Sequence, residues 1–167
     1  MRKSTRDLSL VYRRRQKTDD SFIIRVALQT MKNVFEKSTG IPLSEEMIRQ
    51  QLDINTTTMV IERYGRPIGY YCYTKVPSGA IYLSALVLSP EAQHKGIGTR
   101  VASHIEREAR RLGAHAIHAH VQIANTKAII FWLKNGYQVQ TSRINGMLAL
   151  EKTLLANAQS SMVVPTT

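Results

Sequence analysis

Apolar residues along the chain recur with two periods, and each period predicts one kind of element. Where they alternate with polar residues or form short runs between turn residues, we expect strands at 8–12, 59–63, 68–75, 80–88, 117–123, 139–142 and 147–151. Where they recur every three or four residues, we expect helices over about 19–40, 44–52, 99–112 and 125–135. The order β-α-α-β-β-β-α-β-α-β-β predicts an α+β domain with a mixed, mostly antiparallel central sheet flanked by helices.

Cap and turn residues support these boundaries. Asp19 and Asp20 precede the first long apolar stripe, so we expect their side-chain oxygens to cap that helix. Gly40 is placed to end it. Asn145-Gly146 lies between the last two predicted strands and is a typical two-residue hairpin turn.

The segment 90–99 connects an apolar strand to an amphipathic helix and contains Gly96 and Gly98. The first turn of a helix has backbone N–H groups without intrahelical partners, and the peptide dipoles add partial positive charge there. Glycines allow an anion to approach those groups closely. The segment therefore predicts a loop that holds a phosphate or pyrophosphate.

Two familiar phosphate-loop patterns do not fit. A dinucleotide-binding fingerprint needs a third glycine where Val101 stands, and the chain has no Gly-x-x-x-x-Gly-Lys-Ser/Thr run. The pattern Gln93-x-x-Gly96-x-Gly98 resembles the acetyl-CoA pyrophosphate loop of the GNAT superfamily of N-acetyltransferases. An ordinary surface turn with two glycines is the alternative for this loop taken alone.

A second pattern follows in the order that the GNAT superfamily shows. Asn125, Ala128 and Gly136-Tyr137 match the family's Asn-x-x-Ala-x-x-x-Tyr-x-x-x-Gly-Phe/Tyr helix, and Trp132 replaces its tyrosine. The resemblance implies a single GNAT-like acetyltransferase domain over residues 1–154. Residues 155–167 have no periodicity, and we expect them to form a disordered tail.

The resemblance implies acetyl-CoA as cosubstrate and direct transfer of its acetyl group to a primary amine of a small molecule or peptide in a ternary complex. In this fold the strand before the loop and the strand after the next helix diverge, and the pantetheine arm enters between them. The implied cofactor-binding residues are Leu86, Val87, Leu88, Gln93, His94, Lys95, Gly96, Ile97, Gly98, Thr99, Asn125, Ala128 and Trp132.

Acetyl transfer needs a group that accepts the amine proton and one that protonates the departing thiolate. The family's tyrosine acid is Trp132 here, and an indole N–H is a donor without useful acidity. Tyr82 stands where the family often has a glutamate base, and Ser84 follows it. Tyr82, Ser84 and His120 are the catalytic candidates. His120 and His118 also suit the alternative that they are polar surface residues without a catalytic role. We expect no metal site, because no carboxylate or cysteine near the two histidines completes a ligand set.

Composition limits the setting and the partners. The 167 residues carry a net charge of +11, and Cys72 is the only cysteine, which excludes an intramolecular disulfide. No apolar stretch is long enough to span a membrane, so we expect a cytoplasmic protein that does not contact the membrane, either monomer or homodimer.

The positive charge leaves several partners open. A solvated basic face is the first interpretation, an anionic ligand such as coenzyme A the second, and a nucleic acid, possible but not favoured, the third. A non-catalytic GNAT-fold protein that binds acyl-CoA and regulates a protein or nucleic acid is the alternative function. The resemblance implies that the acceptor amine lies near residues 33–53. There Glu45, Glu46 and Asp53 are candidates to bind a cationic amine, and they equally suit the solvated start of a helix.

Overall fold

The structure, a computed structural model, describes residues 9–54 and 56–154. The basic residues Arg2, Lys3 and Arg6 and the expected tail at 155–167 lie outside the described residues. The strands are β1 Leu10–Arg14, β2 Thr57–Arg63, β3 Arg66–Lys75, β4 Ile81–Leu88, β5 Ala116–Gln122, β6 Gln138–Ile144 and β7 Met147–Thr153. The helices are α1 Asp20–Thr39, α2 Glu45–Asp53, α3 Ile97–Arg111 and α4 Thr126–Lys134, with short 3-10 turns at Lys17–Asp19 and Pro90–Ala92.

The seven strands form one mixed sheet in the order β1-β2-β3-β4-β5-β7-β6. Every neighbouring pair is antiparallel except β4 and β5, which are parallel and are connected through α3. The predicted order of elements and the mixed, mostly antiparallel sheet are confirmed. The hairpin turn at Asn145-Gly146 is also confirmed, because both residues have the positive φ that a tight turn of this kind requires.

Helices cover both faces of the sheet, and each face has its own core. On one face α1 and α2 bury an apolar cluster against the middle strands: Ile23, Ile24, Val26, Ala27, Ile48, Leu52, Val60, Tyr70, Cys72 and Val87. On the other face α3 and α4 cover a larger cluster that includes Ile97, Val101, Ile105, Ala119, Trp132 and Leu150. The alternation of side chains along each strand assigns residues to one face or the other.

A β-bulge interrupts this alternation in β4. Cys72 of β3 pairs with Ala85, but the next residue, Tyr73, pairs with Leu83, so Ser84 is the extra residue. The bulge shifts the alternation by one, and Tyr82 therefore faces the α1/α2 side together with Ala85. An extra residue of this kind bends its strand and increases the local twist.

The parallel pairing of β4 with β5 ends next to the bulge. Only Ile81, Tyr82 and Leu83 pair with β5, opposite Ile117 to Ala119, although β4 continues to Leu88 and β5 to Gln122. Beyond Leu83 the two strands diverge and leave a gap in the middle of the sheet. The backbone edges that face this gap have no strand partner within the described part of the chain.

Two arginines of the N-terminal segment are tied to the start of α1. Arg13 contacts both carboxylate oxygens of Asp19 at 2.8 Å and Glu62 at 2.6 Å. Arg15 holds both oxygens of Asp20 at 2.6 and 2.7 Å. The expectation that these aspartates cap α1 is wrong, because the helix has no side-chain cap hydrogen bond and the carboxylates bind the arginines instead.

The paired guanidinium groups lower the pKa of Asp19 and of Asp20 below the usual value of 3.8. A carboxyl group whose pKa is lower in the folded state stabilises the fold above its unfolded pKa, and this contribution is lost as the pH falls through the lowered value. Asp19 and Asp20 should therefore stabilise the protein at neutral pH, and this contribution should decline progressively as the pH falls below about 4.

We predict that Asp19→Asn lowers the free energy of unfolding by about 2 kcal/mol at neutral pH, because Arg13 keeps its charge and loses a bidentate partner. The difference from wild type should shrink as the pH falls below 3.8 and through the lowered pKa of Asp19, because the wild-type carboxylate is then protonated as well. Urea titrations at several pH values measure both effects. Glu45→Gln, which removes an exposed helix-surface pair with Arg49, is the control and should cost less than about 1 kcal/mol.

Candidate active site

The predicted phosphate loop lies between β4 and α3. After the 3-10 turn Pro90–Ala92 the chain turns through His94, with a φ of 60°, and Gly96, with a φ of 77°, and α3 begins at Ile97. The left-handed conformation at Gly96 costs an L residue free energy, which explains why glycine stands there. Ile97 points its side chain into the core and leaves its backbone N–H at the open end of the helix.

The start of α3 differs from those of α2 and α4. The Ser44 hydroxyl accepts a hydrogen bond from the backbone N–H of Met47, and the Asn125 side chain accepts one from that of Ala128. The N-terminus of α3 has no side-chain cap hydrogen bond and no acidic residue in its first turn. Its partial positive charge therefore remains available to an anion.

The loop is fixed to the end of β4 by Gln93. The Gln93 side-chain amide donates a hydrogen bond of 3.0 Å to the backbone oxygen of Leu88. Gly98 allows α3 and α4 to approach closely, because a Cβ at that position would lie 3.1 Å from Phe131 Cε2. Gln93 and Gly98 thus position the loop and the first turn of α3 at the open end of the gap between β4 and β5.

Two predicted catalytic residues meet where the strands diverge. The Tyr82 hydroxyl and His120 Nδ1 share a hydrogen bond of 2.9 Å. Tyr82 belongs to the last paired stretch of β4, and His120 is the first residue of β5 beyond the pairing. The pair therefore bridges the closed end of the gap, on the face covered by α1 and α2.

The surroundings keep both members of the pair neutral near pH 7. Burial lowers the pKa of His120 below 6.5, and the neighbouring His118 lowers it further. Burial raises the pKa of the Tyr82 hydroxyl above 10. A neutral imidazole can accept a proton, and a protonated phenol can donate one.

The structure does not bring Ser84 into this pair. Its hydroxyl donates a hydrogen bond of 3.3 Å to the backbone oxygen of Cys72, and its own backbone oxygen accepts one from the Gln51 side chain. Both contacts hold the bulge in place. Ser84 thus has a structural position at the bend of β4.

Trp132 lies in the core and is 7% exposed. Its ring makes edge-to-face contacts with Phe131 and Tyr137 at centroid distances of 5.0 and 4.8 Å. Ala128 packs against the same core, and Asn125 caps the helix. These residues orient α4 beside the gap.

Leu86, Val87 and Leu88 form the β4 side of the gap. The Leu86 and Leu88 side chains pack toward α3 and α4, and that of Val87 is buried on the α1/α2 face. His94, Lys95 and Thr99 are exposed around the phosphate loop. The predicted cofactor residues thus lie along the β4 side of the gap, in the loop, in the first turn of α3, or in α4 and its cap.

A groove of about 430 Å³ opens on the α1/α2 face of the sheet beside His120. Its walls come from β5, β6 and β7, and its lining residues are His118, Ala119, His120, Gln140, Thr141, Ser142, Ile144, Ala149, Leu150 and Glu151. The sequence does not reveal this groove, and the resemblance directed the search for the acceptor to residues 33–53 instead. Glu45 and Asp53 of that region are exposed and lie near Arg49 and Arg15.

Two absences concern the described residues alone. Within 9–54 and 56–154 no group of three or more histidine, cysteine, aspartate or glutamate side chains is arranged to hold a metal ion. None of the helices in these ranges combines the length and the apolar character that crossing a bilayer demands.

A sheet opened between two parallel strands, beside a helix with an uncapped N-terminus, is the arrangement that the resemblance to the GNAT superfamily implied. Residues 28–137 match the model of the acetyltransferase (GNAT) family, and the chain belongs to that family. An uncharacterized N-acetyltransferase of Bacillus subtilis, YhfO, is 25% identical over 138 residues, which cover 79% of this chain and 93% of that protein.

Solved structures show the same fold. The PaiA N-acetyltransferase of Thermoplasma acidophilum in complex with coenzyme A has a TM-score of 0.67 and 21% identity, with 87% of this chain and 99% of that one covered. A Bacillus subtilis acetyltransferase in complex with coenzyme A has a TM-score of 0.69 and 16% identity, with 88% and 100% covered. The ribosomal-protein-S18-alanine N-acetyltransferase of Escherichia coli has a TM-score of 0.65 and 14% identity, with 91% and 98% covered.

Gly96 offers a test of the anion loop with a matched control in the same helix. Gly96 and Gly113 lie beside opposite ends of α3, have φ values of 77° and 79°, and have open space where a Cβ would be. Alanine at either position should lower stability by about 1 kcal/mol because of the left-handed backbone. We predict that only Gly96→Ala weakens coenzyme A binding, by about tenfold, as measured by calorimetric titration. Equal affinities of the two variants for coenzyme A would show that the loop is not part of the coenzyme A site.

Proposed function

We propose that this protein transfers the acetyl group of acetyl-CoA directly to a primary amine of a small molecule or peptide. The observation that carries the proposal is the gap between β4 and β5, with the open N-terminus of α3 at one end and the Tyr82–His120 pair at the other. The helix N-terminus suits the pyrophosphate of acetyl-CoA, and the Tyr82–His120 pair suits its thioester. The two ends of the gap therefore match the two ends of the cofactor. Family membership supports the proposal.

The backbone binds most of the cofactor in this scheme. The N–H groups from Gln93 to Thr99 hold the pyrophosphate, and His94 and Lys95 add positive charge around it. The free edge of β4 from Leu86 to Leu88 pairs with the amides of the pantetheine arm as an added strand would. A backbone N–H on this edge stabilises the negative charge that develops on the acetyl oxygen.

Acetyl-CoA supplies an activated acetyl group with a thiolate as its leaving group. The amine approaches from the groove and gives its proton to Nε2 of neutral His120. In the tautomer with a proton on Nδ1, His120 passes that proton to the Tyr82 oxygen, and the Tyr82 hydroxyl proton goes to the thiolate. The two residues thus carry one proton from the amine to the sulfur, and both return to their starting composition.

The non-catalytic alternative and the nucleic-acid alternative have less support in the structure than in the sequence. Arg13 and Arg15, which contribute to the net charge of +11, are bound to Asp19 and Asp20. Trp132, which stands at the position of the family's tyrosine acid, lies in the core. A cytoplasmic location remains a prediction from composition.

The proton relay predicts the phenotypes of two substitutions. Tyr82→Phe removes the hydroxyl and should lower kcat by about a hundredfold, while the Kd for acetyl-CoA stays near the wild-type value. His120→Gln should lower kcat similarly and also remove the acidic limb of the pH profile. In wild type, kcat/KM should rise with pH through a midpoint below 6.5, because the reaction needs the neutral imidazole, whose pKa is lowered. Thiol release measured across pH gives both results.

His115→Gln is the control for these variants. His115 is exposed and contacts the backbone oxygen of Gly79, away from the gap. It should keep the wild-type kcat and the acidic limb. If His120→Gln keeps that limb, the imidazole does not accept the amine proton and the relay is wrong.

A further inference from the structure

The groove beside His120 is created by an irregularity in the edge strand β6. Val139 pairs with Leu150 and Arg143 with Leu148, so three residues of β6 lie opposite Ala149 alone. The extra length forces residues 140–142 to bow away from β7. The bowed segment forms one wall of the groove, and its polar residues Gln140, Thr141 and Ser142 line the cavity.

The lining is unusual in its charge. The chain as a whole has a net charge of +11, yet the described residues that line the groove include no lysine or arginine. The one carboxylate among these described residues is Glu151, on β7 opposite His118 of β5. A carboxylate in a concave, partly enclosed site attracts a cation more strongly than one on a flat surface.

Glu151 has no cationic partner of its own among residues 9–54 and 56–154 apart from His118. The distance from His118 Nδ1 to Glu151 Oε2 is 3.6 Å, longer than a hydrogen bond, and Thr153 Oγ1 lies 3.5 Å from Oε1. The Glu151 side chain is 31% exposed, so a ligand in the groove can reach it. By contrast, the carboxylate of Glu45 already binds Arg49 at 2.8 Å.

The distance between Glu151 and His120 determines how long an acceptor must be to reach both residues. His118 and His120 are two residues apart on β5, and Glu151 is the cross-strand partner of His118. Strand geometry puts the Cα atoms of His120 and Glu151 about 8 Å apart, with side chains on the same face. Four or five methylene groups in an extended chain span a comparable distance.

We propose that the groove selects acceptors with two cationic groups, and that Glu151 binds the ammonium that does not react. This inference rests on the proposed acetyl transfer, since it takes His120 as the place where the reacting amine loses its proton. The second ammonium stays charged at Glu151 while the first is deprotonated at His120. A short aliphatic diamine is the simplest acceptor that meets both requirements, with the Gln140–Ser142 wall covering its methylene chain.

Three amines with the same five-carbon chain test the inference. Cadaverine has an ammonium at each end, pentylamine has a hydrogen atom in place of the second ammonium, and 5-aminopentan-1-ol has a hydroxyl group there. With acetyl-CoA saturating, wild type should prefer cadaverine over both monoamines by about tenfold in kcat/KM, mainly through KM. Glu151→Gln keeps the size of the side chain and should reduce that preference to about twofold or less, because the amide carries no charge to attract the second ammonium.

Glu45→Gln is the matched control, because it removes an exposed carboxylate from the acceptor region that sequence analysis favoured. It should keep the full preference for cadaverine. Equal use of cadaverine and pentylamine by wild type, or an unchanged preference in Glu151→Gln, would overturn the inference.

A binding measurement separates this inference from the proposed function. Cadaverine is titrated calorimetrically into the protein saturated with coenzyme A, where no transfer occurs. Binding that is lost in Glu151→Gln and kept in Glu45→Gln supports the diamine site even if no amine is acetylated, in which case the proposed transfer alone fails. Absence of cadaverine binding to wild type overturns the diamine site while leaving acetyl transfer to other amines open to the thiol-release assay.

Discussion

The early end of the pairing between β4 and β5 is the constraint on which the rest of the site depends. Parallel strands connected through a helix would normally pair along their length, but the extra residue at Ser84 bends β4 away after Leu83. The bend exposes backbone groups in the middle of a sheet, where unpaired N–H and C=O groups are costly unless a ligand or water satisfies them. Beyond the bend, β4 packs into the apolar clusters on both faces of the sheet, Leu86 and Leu88 on one face and Val87 on the other, and this packing stabilises the diverging strand.

The same packing supplies the electrostatics of the gap. The first turn of α3 points its N–H groups outward because Ile97 and Val101 anchor the helix in the core and Gly98 lets it lie against Phe131. An uncapped helix start is less stable than a capped one, so the missing cap at α3 lowers the free energy of unfolding. In the proposed function a bound pyrophosphate accepts hydrogen bonds from these N–H groups and stabilises the helix start as a cap would. The site is thus positioned by core residues that do not themselves touch the reacting atoms.

Sequence analysis predicted the order of the elements and placed Gly96 and Gly98 at the start of α3, because periodicity and turn chemistry are local properties. It named Tyr82 and His120 separately and could not pair them, since their contact depends on the register between strands joined through α3. It assigned Asp19 and Asp20 to a helix cap because the sequence does not reveal that Arg13 and Arg15 reach them. It missed Glu151 for a similar reason, because only the bow in β6 turns the neighbourhood of that residue into a groove.

The burial of Trp132 bears on how protons would move in this site. Where the family resemblance expects a tyrosine on the last helix, this chain has an indole packed against Phe131 and Tyr137, so α4 offers no acid at that position. In the proposed reaction the proton for the thiolate comes from the sheet, where a hydrogen bond links the Tyr82 phenol to the His120 imidazole across the diverging strands. Moving the acid from α4 to β4 places acid and base in direct contact. In the proposed reaction His120 accepts a proton from the amine while Tyr82 gives its hydroxyl proton to the sulfur. One hydrogen-bonded pair thus serves as both base and acid, and two independently titrating groups are not needed.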